Sequence, residues 1–360
     1  MNKYNNQQCL DINNLWCALH STFNTANNCQ VDTTILDEIS DKYIVPWPEF
    51  SREEFKFVLS SYNNSSTPGP DKFLWNHLKI IFKDNECLDT FIWVANACIN
   101  LGYWPSHFKI STMIVIPKPN KKLYDSPKSF RPIVLFNTMG KLIKKVIGER
   151  LQFNAVSNDF IHPSQLGSLK FKSTINTGVA LMHAIQTGWA KDLTTSTLIF
   201  DIAQFFPSLN HQLLSLIIKK VGFDQHISSF FADYLVNRKM IYLWNNFYSS
   251  TFNINIGVGQ SSALSPILSA LYLSLFIYTL KNQLKNLKIP TLFISFMDDG
   301  LFISQSNSID ISNSRLYCSY NVLTNLLEKF RLVVKYSKTE IFHFNRSHGV
   351  LNPPPCCGNH

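Results

Sequence analysis

Apolar positions along this 360-residue chain switch between helical and alternating spacing, which predicts a mixture of helices and strands. Residues 10–23 read as one short helix inside an otherwise unpatterned opening. The run Ser51-Arg-Glu-Glu54 is a capping box, so a helix is expected to follow it to about residue 61. NNSSTPGPD (63–71) is a turn-rich loop. From 72 to 101 the apolar residues Trp75, Leu78, Ile81, Phe82, Leu88, Ile92, Val94 and Ala95 predict helix. A β-branched run over 112–116 ends at Pro117-Lys118 and predicts a strand. Helices are expected over 139–156, 174–190, 208–220 and 225–237. The buried strand TSTLIF (195–200) leads into Asp201, and 242–244 with 247–256 predict a hairpin. After a helix over 263–286, strands at 292–296 and 301–304 flank a turn at MDDG (297–300). A helix over 312–331 and strands at 332–336 and 340–344 complete the pattern. There is no regular strand–helix–strand alternation and no internal repeat, so the class is α+β rather than doubly wound.

Composition narrows the classes. Charged residues are only 16%, yet 33 Lys+Arg against 24 Asp+Glu leave a net +9. Within 109–150 there are ten basic residues and two acidic ones, which concentrates almost the whole excess in one segment. Such a segment is either a solvated basic face or a phosphate-binding surface. The eight cysteines contain no C-x-x-C pair, so neither a disulfide scaffold nor a zinc site is expected. The sequence opens without an apolar leader, and an intracellular location, nuclear or cytoplasmic rather than secreted, is expected. Residues 251–280 carry no charge, but their apolar part is short and contains Pro266, so a buried core helix is expected rather than a membrane span.

Carboxylates in apolar surroundings need an explanation. Asp201 ends a buried run, and Asp298 with Asp299 sits at the second hairpin. Brought together, they would repel unless a cation joined them. Two oxygen-loving divalent ions resolve the conflict and are suited to in-line displacement at phosphorus. Asp-Gly is also an ordinary hairpin turn, so MDDG alone is weak. A two-metal phosphatase or nuclease would share these carboxylates without the basic segment.

The ordered blocks TPGPDKF (67–73), IVIPKPNKK (114–122), SFRPIVLFNTMGKLIKKVIGERL (129–151), HPSQLGSLKFKST (162–174), FDIAQFFPSLNH (200–211), GVGQSSALSPILSALYL (257–273), SFMDDGLF (295–302) and EKFRLVVKYSKTEIFHF (328–344) resemble the reverse transcriptase domain of non-LTR (LINE-type) retrotransposons, most of all fungal ones. The resemblance implies a right-hand polymerase fold of fingers and palm, with an antiparallel palm sheet backed by helices and no thumb. It divides the chain into an arm (1–50), partly disordered, fingers (51–195), palm (196–345) and a tail (346–360). It implies an RNA-directed DNA polymerase acting on an RNA template, a DNA primer and dNTPs, away from membranes.

Residue by residue, the resemblance implies that Asp201, Asp298 and Asp299 hold two Mg²⁺ ions, with Mn²⁺ as a substitute. The backbone at Ile202 would face the metals. Phe206 would exclude a 2′-hydroxyl, Gln260 would lie against nucleotide and template, and Lys118 and Arg131 would hold the triphosphate. Lys338 would be the proton donor to pyrophosphate. Ser261 and Arg331 stand where the family has Gly. The absent thumb and Ser261 raise the alternative of an impaired, truncated remnant that at most binds nucleic acid.

Overall fold

The computed structural model describes residues 3–4, 7–8, 12–24, 32–38, 43–120, 123–124, 126–244, 246–259 and 261–346. In chain order the elements are β1 (Lys3–Tyr4), β2 (Gln7–Gln8), α1 (Ile12–Phe23), α2 (Arg52–Ser60), α3 (Trp75–Ile81), α4 (Asn85–Asn100), β3 (Ile110–Pro117), β4 (Phe130–Phe136), α5 (Thr138–Ser157) and α6 (Thr174–Ala190). There follow β5 (Thr194–Asp201), α7 (Phe205–Ser208), α8 (His211–Lys220), α9 (Gln225–Leu235), β6 (Arg238–Trp244), β7 (Phe247–Ile254), α10 (Ser265–Asn286), β8 (Thr291–Phe296), β9 (Asp299–Ser306), α11 (Ile309–Lys329) and β10 (Glu340–Phe344). The class is α+β, as expected.

Two compact units are interleaved in sequence. The first comprises residues 1–31, 39–158 and 206–268, and the second 32–38, 159–205 and 269–360. This partition differs from a simple division near residue 195, because the chain leaves the first unit and returns to it.

The first unit is built on the sheet β4-β3-β6-β7, in which β3 and β6 run parallel and the other pairs are antiparallel. Its core joins Trp16 and Leu19 of α1 to Met113, Val115, Val134, Phe136, Met240 and Tyr242. The capping box forms as expected: Glu54 N–H donates to Ser51 Oγ at 3.3 Å, and Ser51 N–H donates to Glu54 Oε2 at 2.9 Å. The single helix expected over 72–101 is instead two. Asp84 interrupts it and caps the second, accepting from the amides of Glu86 (2.7 Å) and Cys87 (3.2 Å). Strand β4 was hidden by Pro132, which lacks a ladder donor; it is tolerated because β4 is an edge strand.

The second unit carries the sheet β10-β5-β9-β8, antiparallel throughout. Helix α6 sets Ala184 against Leu301 and Ile303. Helix α11 buries Leu316, Leu323, Leu326 and Leu327. Helix α10, free of charge up to Leu280, is core there, with Leu271, Leu273 and Ile277 buried and the Tyr272 hydroxyl donating to the Phe330 carbonyl at 2.7 Å. No helix among the described residues is long and apolar enough to cross a membrane.

The strand expected over 332–336 is a correction. Helix α11 ends in a Schellman motif: Leu332 N–H reaches the Leu327 carbonyl (2.9 Å) and Arg331 N–H that of Glu328 (3.0 Å), with Arg331 at φ +57°. Only one bridge follows, Val334 to Ile202, before a 3₁₀ turn over Tyr336–Lys338.

Candidate active site

The second unit gathers its carboxylates by strand register. Strand β5 lies between β10 and β9, and its last residue, Asp201, pairs across the ladder with Asp299, the first residue of β9. Two like charges face each other there, an arrangement that costs stability unless something compensates. Asp298 occupies the two-residue loop between β8 and β9, preceded by Met297 at φ +56°. The tight connection is therefore Met297-Asp298, and Gly300 is already in the strand. Gly300 pairs with Phe200, and a Cβ at this glycine would lie 2.2 Å from the Phe200 ring. Gly300 has no positive φ and lies against the Phe200 ring, so packing rather than the turn calls for glycine here.

The backbone around Asp201 is clamped from two sides. Ile202 N–H donates to the Asp298 carbonyl at 2.9 Å, so the loop is tied directly to the strand end. Lys335 N–H donates to the Asp201 carbonyl and Ala203 N–H to that of Val333, both at 2.8 Å. The second clamp delivers Lys338, whose Nζ lies 2.6 Å from Asp201 Oδ2. Ile202 itself is buried.

Electrostatics follow from this crowding. Burial, then the neighbouring Asp299 and Asp201, pushes the Asp298 carboxyl above the usual range. Asp299 is raised by burial and by Asp201. The Lys338 ammonium is held above its ordinary value, first by its hydrogen bond to Asp201. Lys338 is thus a cation stand-in at a cluster of hard oxygen donors, the donor chemistry that suits Mg²⁺. Among the described residues no closed cage of three or more acidic, His or Cys ligands is formed.

A support of the loop carried no assignment in the sequence. Segment 164–166 runs alongside β8: Leu166 N–H donates to the Ser295 carbonyl (2.8 Å) and Ser295 N–H to that of Ser164 (2.9 Å). A Cβ on Gly167 would lie 2.2 Å from the Met297 nitrogen, so only glycine lets this segment back the loop so closely. The signal was present in the block HPSQLGSLKFKST, without a role attached to its glycine.

The remaining candidates belong to the first unit. Ile116 pairs with Arg131, and Lys118 N–H donates to the Ser129 carbonyl at 2.9 Å, so Lys118 and Arg131 share one face of the β3–β4 hairpin. Phe206 is half-buried in α7, and its carbonyl accepts from Val258 N–H at 2.8 Å. Gln260 lies outside the described residues. Ser261 is not among the residues with positive φ, and its hydroxyl donates to the Val134 carbonyl. The backbone at Ser261 therefore does not require glycine, and the added Cβ costs nothing there in backbone strain.

Comparison with known proteins settles the lineage. Residues 116–353, well over half of the chain, match the profile of the family described as Reverse transcriptase (RNA-dependent DNA polymerase). The chain belongs to the reverse transcriptase family. It is 25% identical over 280 residues to the probable RNA-directed DNA polymerase from transposon X-element of Drosophila melanogaster, covering 73% of this chain and 30% of that protein. It is 28% identical over 180 residues to the probable RNA-directed DNA polymerase from transposon BS of the same organism, covering 50% and 20%. The reverse transcriptase chain thus spans less than a third of the length of these relatives. A solved structure of apo telomerase from Candida tropicalis, truncated from the C-terminal domain, is similar with a TM-score of 0.48 and 15% identity over 68% of this chain and 51% of that one. Divalent metal use is general in the reverse transcriptase family, and the resemblance to non-LTR elements agrees with these relatives.

Proposed function

We propose that this chain is the RNA-directed DNA polymerase domain of a non-LTR retrotransposon, copying an RNA template onto a DNA primer from dNTPs. The observation that carries the reading is the meeting of Asp201, Asp298 and Asp299 at adjoining strand ends with a lysine ammonium on Asp201. Asp201, Asp298 and Asp299 would hold two Mg²⁺ ions, with Mn²⁺ as a substitute. Bound there, the ions supply charge neutralisation at the attacking and leaving oxygens of a phosphoryl transfer.

The chain's own residues do the rest. The Asp298 carbonyl and the Val333–Lys335 clamp hold the backbone at Asp201 and Ile202 against the loop. Lys118 and Arg131, on one hairpin face, would bind the triphosphate electrostatically. Phe206 would press on the sugar and disfavour a 2′-hydroxyl, and Gln260 would lie against nucleotide and template. Lys338, held beside Asp201, would be the proton donor to the departing pyrophosphate.

The test is primer extension with the whole chain, an annealed RNA template and DNA primer, dNTPs and Mg²⁺. Extension that Asp298→Asn abolishes supports the reading. No extension while the chain still binds the primer–template refutes it and leaves a nucleic-acid-binding remnant.

A further inference from the structure

The first unit contains a cavity of about 50 Å³ beside β4, lined by none of the carboxylates or by Lys118, Arg131 or Phe206. Its charged lining residues are Lys109, Lys144 and Arg238, and no acidic side chain lines it. Lys109 is neutralised: its Nζ lies 3.0 Å from Asp233 Oδ2 and donates to the Asp233 carbonyl at 2.7 Å. The other two cations are not. Lys144 is 1% exposed, and its Nζ sits 3.5 Å from the centre of the Phe136 ring. It has no hydrogen bond or ion pair to any described residue. The Arg238 guanidinium reaches no carboxylate among the described residues: its partners are the carbonyls of Ile256 and Gly257, the imidazole of His211 and the Tyr234 hydroxyl, and its Nε is buried without a partner.

Two positive charges thus share a largely apolar cavity, with Val134, Phe136, Met240 and Tyr234 around them. Burying one unpaired ammonium is costly, and a guanidinium on the same cavity adds repulsion. Burial, followed by Lys141 and Arg238, drives the Lys144 ammonium well below its ordinary range. Either the lysine gives up its proton or a counter-charge enters. The orphaned Nε donor of Arg238 is a second unmet demand for an acceptor, which an entering anion meets directly.

We propose that this cavity is an internal anion site, in which Lys144 and the Arg238 Nε–H hold one small inorganic anion of the chloride class. The volume admits an ion of a few water molecules' size and excludes a nucleotide or an organic acid. The anion would take the place of a carboxylate that no residue lining the cavity provides, and would tie α5 to β6 as an internal counter-ion.

The experiment is thermal unfolding of the whole chain in mixtures of sodium chloride and sodium gluconate at constant ionic strength, gluconate being too large for the cavity. Wild type should gain a few degrees of Tm as chloride replaces gluconate. Lys144→Glu places a carboxylate beside Arg238 within the chain, so it should keep a Tm at least equal to wild type and lose the chloride dependence. Lys144→Met should lose the dependence as well. A wild-type Tm independent of chloride, or a chloride dependence that survives unchanged in both variants, overturns the proposal. Should both variants fail to fold, ³⁵Cl line broadening by the wild-type chain, reversed by added bromide, decides it. Its absence refutes the site.

Discussion

Gly300→Ala tests whether the glycine beside Asp298 and Asp299 is kept for packing or for the turn. The residue does not have positive φ, so alanine meets no backbone conflict, and the loss of chain entropy on unfolding would by itself favour alanine by about 0.4–1 kcal/mol. Against this stands the Phe200 ring, whose Cζ, Cε1 and Cε2 would lie 2.2, 2.6 and 2.7 Å from the new Cβ. Phe200 cannot easily yield. It is 1% exposed, with Phe293 and Phe302 rings centred 6.2 and 6.0 Å away. Forced overpacking of this kind costs about 1–3 kcal/mol, so the net expectation is a loss of about 1–2 kcal/mol. Urea unfolding gives the value, and Phe200→Leu completes a double-mutant cycle. The leucine removes the ring edge, so the pair should couple favourably by about 1 kcal/mol. A Gly300→Ala variant as stable as wild type, or a cycle with no coupling, refutes the packing explanation.

Three further outcomes are expected. Arg331→Gly should stabilise the chain by about 0.5–1 kcal/mol, because Arg331 holds φ +57° at the end of α11, whereas Arg331→Ala should bring no gain; equal effects of the two in urea unfolding would count against strain at this site. Asp233→Asn should cost about 3 kcal/mol in the same assay, since it strips the counter-charge from Lys109, whose side chain is 6% exposed, and disturbs the acceptor of the Trp104 amide; a loss under 1 kcal/mol would contradict the buried-pair reading. Asp299 has a raised carboxyl pKa in the folded chain, so folding is favoured at acid pH and penalised as pH rises from the ordinary carboxylate value of 3.8 upward. Without metal, Asp299→Asn should therefore match wild type in Tm near pH 4 and exceed it at pH 7, and an advantage that shrinks as pH rises would refute the sign.

The sequence by itself determined the element types and the chemistry. Periodicity placed α2, α6, β5 and α11 because each has an uninterrupted apolar pattern and, for α2, a capping box that is purely local. Asp201, Asp298 and Asp299 stood out because unpaired carboxylates after apolar runs are anomalous wherever they occur, and the resemblance of the ordered blocks to the family added Lys338. It misread places where a neighbour decides. Strand β4 was masked by Pro132, since only sheet position shows that its edge needs no donor. Gly300 looked like a turn residue, and the register alone reveals that it makes room for Phe200. Gly167 had no visible role until its segment lay along β8. Lys144 counted among the residues of a basic segment, open between a solvated face and a phosphate-binding surface, yet the fold turns it inward onto Phe136. Local pattern fixes local conformation because hydrogen bonds and burial periods are set by nearest residues. Which charges meet, and how closely two backbones approach, depend on residues a hundred positions apart, and those distances exist only in the folded chain.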